Sequence, residues 1–101
     1  MSAGTPDSPP DFVLIGHATR DVLPSGAWRL GGTVSYAAVT ARRLGLRVGI
    51  LTSGPPDVVA ALAAVAPGAR IVAVPSADAT TFENTTHAGH RRQILRVRAV
   101  P

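Results

Sequence analysis

The stretch that most constrains the fold of this chain is Leu30 to Leu51, which reads LGGTVSYAAVTARRLGLRVGIL. A pair of glycines opens the stretch, apolar residues then recur at helical spacing, and Gly45 follows where a helix usually stops. This pattern predicts a helix from Thr33 to Leu44. The β-branched run from Arg47 to Thr52 predicts a strand buried on both faces of a parallel sheet. The unit is a turn, a helix and a strand of an α/β fold.

Two adjacent glycines before a helix permit two interpretations. Because they lack side chains, Gly31 and Gly32 let a ligand approach the backbone, where unpaired amide groups at the helix start can hold hydroxyls or an anion. In the other interpretation the pair only makes a tight turn between a strand and a helix. The chain has neither the GxGxxG spacing of dinucleotide-binding folds nor the lysine of a P-loop, so neither nucleotide motif applies.

The composition is that of one modest globular domain. Of the 101 residues, 46% are hydrophobic and 16% are charged. A chain of this length buries about two thirds of its unfolded surface. The sequence has no apolar run long enough to cross a membrane and no signal-peptide pattern. It also has no cysteine, which fits a reducing compartment. We therefore expect a cytoplasmic protein without a membrane partner.

The positive charge of the chain comes from arginine alone. All ten basic residues are arginine, and the formal net charge is +4. Arginine and alanine richness together are typical of a GC-rich genome. The four arginines between positions 91 and 98 lack the interleaved aromatic side chains that stack on bases. We expect no nucleic-acid partner.

The segments around the central unit predict half of a doubly wound sheet. Residues 1–10 are small, polar and proline-rich, so we expect a disordered lead-in. Asp11 to Gly16 is a short apolar run that predicts a buried, central first strand. A second helix is predicted to end at Pro67, and a third buried strand is predicted from Arg70 to Val74.

The character of the chain changes after the third predicted strand. Thr80 to Thr86 and Gln93 to Val100 are both strand-like, and His87 to His90 forms the turn between them, so we expect a hairpin with one wet face. The HxxH spacing of the two histidines has no third ligand nearby, and we expect no metal site. Two crossovers and a hairpin leave sheet edges uncovered, and we expect a fragment of a larger domain.

The residues just after the first predicted strand are the first candidates for ligand binding, because open α/β sheets bind ligands beyond the carboxyl ends of their strands. Asp21 is the first carboxylate there and can accept hydrogen bonds from two hydroxyls of a polyol; alternatively it is a solvated or capping loop residue. His17 is either a ligand contact or a hydrogen-bonded structural residue. Trp28 is expected to pack in the core.

Three segments, Gly16–Asp21, Gly31–Gly49 and Thr80–Asn84, follow one another in a characteristic order and spacing. In this order the chain resembles the N-terminal third of a ribokinase-type (PfkB family) carbohydrate kinase. The resemblance implies a ribokinase-like α/β fold, in which a partial Rossmann-type parallel sheet with flanking helices carries a β-hairpin lid. It covers residues 11–101 as a partial kinase domain, with the lid at about 80–100.

The resemblance also implies a function. Members of this family transfer a phosphoryl group to a hydroxymethyl group of a sugar or nucleoside, using ATP and a divalent cation such as Mg²⁺. Position by position, it implies contacts with substrate hydroxyls for Asp21, a sugar contact for Thr19, a substrate-side turn for Gly31 and Gly32, and an apolar wall for Phe82. The lid hairpin is implied to close over the sugar or polyol and to mediate a homodimer.

The sequence departs from the family pattern in ways that leave the substrate open. Tyr36 stands where the family motif usually has asparagine, so a substrate contact is implied there with altered chemistry. The loop after the Arg47–Thr52 strand reads SGPPD in place of a Gly-Asp pattern. The catalytic aspartate of a Gly-Ala-Gly-Asp motif and the nucleotide pocket are expected beyond residue 101. We therefore expect no catalytic residue in this chain and no activity of the chain alone.

Two other hypotheses remain open. One is a stand-alone, non-catalytic module that keeps the hairpin for self-association or small-molecule binding. The other is an unrelated half-Rossmann domain whose glycine turn is purely structural. The hairpin at residues 80–100 argues against the second of these, because it has no place in a plain nucleotide-binding half.

Overall fold

The computed structural model describes residues 9–99, so the expected lead-in at 1–10 lies outside the described residues except for its last two prolines. The helices and the three strands of the predicted sheet lie within two residues of their expected bounds. The described elements in chain order are β1 (Phe12–Ile15), β2 (Thr19–Val22), β3 (Trp28–Gly31), α1 (Thr33–Arg43), β4 (Val48–Gly54), α2 (Pro56–Val65), β5 (Arg70–Pro75), β6 (Thr81–His87) and β7 (His90–Val97).

Three parallel strands form the core sheet, in the order β1-β4-β5. The prediction that the first strand is central is wrong for the described residues, because β1 lies at one edge and β4 in the middle. Both helical connections step across the sheet in the same direction, which leaves β4 between its neighbours and puts both helices on one face.

The two helices bury one face of the core sheet. Val48 and Ile50 of β4 pack there with Val58 and Leu62 of α2, and Leu62 is fully buried. The prediction that these strands are buried on both faces is wrong within residues 9–99, because no described element covers the opposite face. Apolar side chains from all three strands are exposed on it: Val13, Ile15, Leu51, Val72 and Val74.

Four strands form the second sheet, in the order β3-β2-β6-β7. The predicted hairpin is present as β6 and β7, joined at Ala88 and Gly89, whose φ values of 49° and 78° are typical of a tight hairpin turn. The prediction of one wet face fails for β7, where only Ile94 is half-buried. The sequence predicts a Pro-Ser-Gly turn between two short extended segments within Val22–Leu30, and the structure has β2 and β3 on either side of that turn. They pair in antiparallel fashion, and β2 also pairs in parallel with β6.

Candidate functional site

The core sheet and the second sheet meet where β1 ends and β2 begins, and a cavity of about 440 Å³ opens at that junction. Three segments line the cavity, namely the β1–β2 connection, the start of α1 and the start of β6. The lining includes the polar or aromatic residues His17, Thr19, Thr33, Thr80 and Phe82, and it also includes Gly32. The cavity thus lies beyond the carboxyl end of a parallel strand, where open α/β sheets bind ligands.

The structure places three of the six predicted substrate residues in the lining of this cavity. They are Thr19, Gly32 and Phe82; Asp21 and Gly31 are not in the lining, and Asp21 is linked to it through the hydrogen bond from Thr19. Asp21 and Phe82 are partners on the neighbouring parallel strands β2 and β6, so their side chains share one face of the second sheet. Thr19 lies on the same face, and its Oγ1 donates a hydrogen bond to Asp21 Oδ1 at 3.2 Å. A hydroxyl, a carboxylate and an aromatic ring therefore stand together at the cavity rim.

Gly31 leaves room for the carboxylate of Asp21. The two residues lie on adjacent antiparallel strands, and a Cβ atom at position 31 would lie only 2.5 Å from Asp21 Oδ2. Any side chain there would displace the carboxylate. Gly31 therefore contributes to the site through the placement of Asp21.

Gly32 makes a tight turn and places the start of α1 at the cavity. Its φ is 93°, and a Cβ atom there would lie 2.6 Å from the carbonyl oxygen of His17. No side chain caps this end of α1, and its first turn holds no acidic residue. Because the first amide groups of a helix carry partial positive charge, this end favours hydroxyl oxygens or an anion in the cavity.

Tyr36 is a predicted site residue that lies away from the cavity. It lies on α1 and is 63% exposed, whereas Thr33 and Ala37 of the same helix line the cavity. Trp28 is half-buried and packs against the core cluster, as expected from the sequence.

A polar cluster on the opposite face of β2 was not apparent from the sequence. The Arg20 Nη2 group donates hydrogen bonds to Asp57 Oδ1 at 2.7 Å and to Asp57 Oδ2 at 2.6 Å. The Arg20 Cζ atom lies 5.3 Å from the centroid of the Trp28 ring. The hydrogen bond from Arg20 lowers the pKa of the Asp57 carboxyl below its ordinary value. The signal for this cluster is the alternation of side chains along β2, which is visible only once β2 is known to be a strand.

The described residues do not fit the Mg²⁺ that the resemblance implies. Within residues 9–99 no group of three His, Cys, Asp or Glu side chains is placed to hold a metal ion. Asp21 is a single carboxylate beside the cavity, and Mg²⁺ needs several oxygen ligands.

A second groove, of about 600 Å³, lies between α2 and the end of β5. Its lining is almost entirely small and apolar, including Val59, Ala63 and Ala73. Without charged or titratable side chains this groove offers little to orient a polar ligand. The cavity at the start of α1 is the better candidate site. Neither described helix is long and apolar enough to span a membrane.

The sequence matches no protein-family model, and no curated protein matches it. Solved structures do match. A pyrophosphate-dependent kinase of the ribokinase family, complexed with a pyrophosphate analogue and myo-inositol, has a TM-score of 0.68 and 24% identity over 89% of this chain and 33% of its own. A sulfate complex of a pyrophosphate-dependent kinase in that family has a TM-score of 0.68 and 26% identity over 89% of this chain and 34% of its own.

A third match is a pyrophosphate-dependent myo-inositol-1 kinase converted into a myo-inositol-3 kinase, with a TM-score of 0.65 and 22% identity. The match covers 31% of that kinase's length. The chain therefore spans about a third of the length of each of these three kinases. The resemblance expected from the sequence is confirmed at the level of the fold: residues 9–99 have the ribokinase-like fold of part of a ribokinase-family kinase.

Proposed function

We propose that this chain is the sugar- or polyol-binding part of a PfkB-type carbohydrate kinase, a cytoplasmic transferase whose second sheet acts as a lid. The observation that carries the proposal is the meeting of Thr19, Asp21 and Phe82 on one sheet face, opposite the start of α1 across a cavity. Thr19 and Asp21 come from β2, Phe82 comes from β6 and the helix start from α1, and each suits one part of a polyol.

The chemistry of the rim supports a neutral ligand rich in hydroxyls. The Asp21 carboxylate can accept hydrogen bonds from two adjacent hydroxyls, and the Thr19 hydroxyl, which donates its one hydrogen to Asp21, can accept another. The amide groups at the start of α1 can donate to a hydroxyl oxygen. The Phe82 ring offers an apolar surface to the carbon face of a ring. Two of the matched structures are named for myo-inositol, which is such a ligand.

The phosphoryl donor has no assigned site among residues 9–99. The resemblance favours ATP with Mg²⁺, whereas the matched kinases are named for pyrophosphate. The proposal for this chain is therefore confined to the acceptor, a sugar or polyol.

Calorimetric titration of the chain with myo-inositol and with ribose tests the proposal. We expect one of the two to bind, and we expect Asp21→Asn to weaken that binding. A hydrogen bond to a charged group contributes about 1.5–3 kcal/mol, which corresponds to a roughly tenfold to hundredfold loss of affinity. Asp78→Asn is the matched control, because Asp78 is exposed and does not line the cavity. Equal affinities of Asp21→Asn and the unchanged chain would refute the role of Asp21.

The exposed apolar residues of the hairpin favour the alternative, a self-associating binding module without catalysis. Leu95 is 51% exposed and Val97 is 39% exposed on β7. Under this alternative the hairpin forms a homodimer contact, and sedimentation at increasing concentration would show a dimer that Leu95→Lys disrupts. A monomer at all concentrations would exclude it.

A further inference from the structure

β2 carries side chains of different character on its two faces. Thr19 and Asp21 lie on the face that borders the cavity, and Arg20, between them in sequence, lies on the opposite face. On that opposite face Arg20 is diagonal to Trp28 of β3, whose partner in the pairing is Val22. A displacement of Arg20 along or across the sheet therefore displaces Thr19 and Asp21 with it.

Arg20 is held by groups from both parts of the molecule. Its Nη2 donates to the two carboxylate oxygens of Asp57, at 2.7 and 2.6 Å, in the first turn of α2. Its Cζ lies 5.3 Å from the centre of the Trp28 ring in the second sheet, within the range of a cation–π interaction. Asp57 is itself fixed, because its Oδ1 also accepts a hydrogen bond from the Val58 amide at 2.9 Å.

The other ion pairs among residues 9–99 do not join the two sheets. Asp11 and Arg47 connect the residues just before β1 and β4, within the core sheet. Glu83 and Arg96 connect β6 and β7, within the hairpin. Of the ion pairs in the described part of the chain, only that of Arg20 and Asp57 ties the second sheet to the helical layer.

The burial of the Arg20 guanidinium supports a specific placement. Its side chain is 27% exposed, and its Nε is buried without a hydrogen-bond partner among the described residues. A buried donor without an acceptor is unfavourable, and a free surface arginine would turn this group to water. The contacts with Asp57 and Trp28 therefore outweigh that cost and determine where the side chain lies.

We infer that Arg20 is a positioning residue: by tying β2 to the first turn of α2, it fixes Thr19 and Asp21 at the rim of the cavity. The structural part of this inference stands on the ion pair and the Trp28 contact. Its consequence for ligand binding rests on the proposed function. The two parts are separable by experiment.

The experiment measures the distance between the second sheet and α2 in the full chain. The chain has no cysteine, so Thr86→Cys on β6 and Ala64→Cys on α2, both exposed positions, give two unique sites for spin labels. Pulsed electron paramagnetic resonance of this pair should show one narrow distance. We expect Arg20→Met and Asp57→Asn each to lose that narrow distance, because each removes the ion pair, and Arg20→Lys to retain much of it.

Glu83→Gln is the matched control, because it removes an ion pair of the same kind within the hairpin. It should leave the distance unchanged, whereas a general response to lost surface charge would alter it equally. The Asp57 side chain is 53% exposed, so we expect Asp57→Asn to fold. This variant therefore tests the ion pair even if Arg20→Met does not fold. A narrow, unshifted distance in Asp57→Asn would overturn the inference.

Titration with myo-inositol by calorimetry completes the test. If the unchanged chain binds, Asp57→Asn should lose affinity several-fold, because only the fraction with β2 in place is competent to bind. Unchanged affinity alongside a broadened distance would overturn the positioning role. If the unchanged chain binds neither myo-inositol nor ribose, the proposed function fails, and the distance measurement still decides whether Arg20 fixes β2.

Discussion

At the scale of single residues, Asp21 and Gly31 depend on each other. The carboxylate occupies the space that a side chain at position 31 would fill, since a Cβ atom there would lie 2.5 Å from its Oδ2. The family resemblance gives the two residues separate substrate roles. The geometry supports a simpler division, in which Asp21 offers the oxygens and Gly31 allows them to stand at the cavity rim.

Gly32 and Gly26 make a matched pair for testing the turn. Both have positive φ, 93° and 87°, but a Cβ atom at Gly32 meets the His17 carbonyl oxygen, whereas at Gly26 it meets nothing within 4 Å. A non-glycine residue in the left-handed helical region costs about 1–2 kcal/mol, and Gly32, with ψ of 150°, lies in a region that is essentially limited to glycine. We expect Gly26→Ala to lose about that much in the free energy of unfolding and Gly32→Ala to lose clearly more, measured by urea denaturation. Equal losses would show that the contact with His17 relaxes without cost.

Some residue roles follow from the sequence and some do not. Asp21 was identified because it is the first carboxylate after the first strand and Thr19 through the family resemblance; the structure places Thr19 in the cavity lining and joins Asp21 to it by a hydrogen bond. Tyr36 was identified from its motif position, yet it lies on an exposed side of α1. Arg20 was not singled out, because its role depends on Asp57, which lies 37 positions away in sequence. Pairing at that distance leaves no local pattern.

At the scale of elements, the edge strand β1 is held by more than its ladder to β4. Asp11, just before β1, accepts hydrogen bonds from the backbone and side chain of Arg47, just before β4. The side-chain hydrogen bond from Arg47 is the largest cause that lowers the pKa of the Asp11 carboxyl, from 3.8 to about 2. A carboxyl with a lowered pKa in the folded state stabilises the fold above its unfolded-state pKa and loses that effect as the pH falls.

We therefore expect acid to destabilise the chain as the pH falls from about 4 to about 2, and Asp11→Asn to reduce that dependence. Part of it should remain, because the Asp57 carboxyl has a lowered pKa too. Urea denaturation across this pH range is the measurement, with Asp78→Asn as the control. An unchanged pH dependence in Asp11→Asn would contradict the assignment.

Local sequence patterns were enough to predict the elements in which buried residues recur at a regular spacing. The helix α1 begins and ends close to its predicted bounds, because the glycines on either side of it mark both ends. The bounds and pairing of β2 and β3 did not follow from the sequence, because Thr19–Val22 is three polar residues followed by one apolar residue and Trp28–Gly31 ends in a glycine. Their structure comes from pairing with each other and with β6, which is information that no single segment contains.

At the scale of the whole molecule, the two sheets contribute different groups to the proposed binding site. The core sheet and α1 supply the floor of the cavity and the positively polarised helix start. The second sheet supplies the hydroxyl, the carboxylate and the aromatic ring. The prediction of a central, fully buried β1 failed at this scale, because the order of strands depends on the direction of the crossovers and not on the composition of Phe12–Ile15.

The central claim is that the cavity between the two sheets binds a polyol. Amide chemical-shift mapping of the labelled chain during titration with myo-inositol tests this claim most directly. We predict that shifts concentrate at Thr19, Gly32, Thr33 and Phe82, which line the cavity, and at Asp21, which accepts a hydrogen bond from Thr19. Shifts confined to the apolar groove at Val59 and Ala63, or no saturable shifts with either myo-inositol or ribose, would contradict the account.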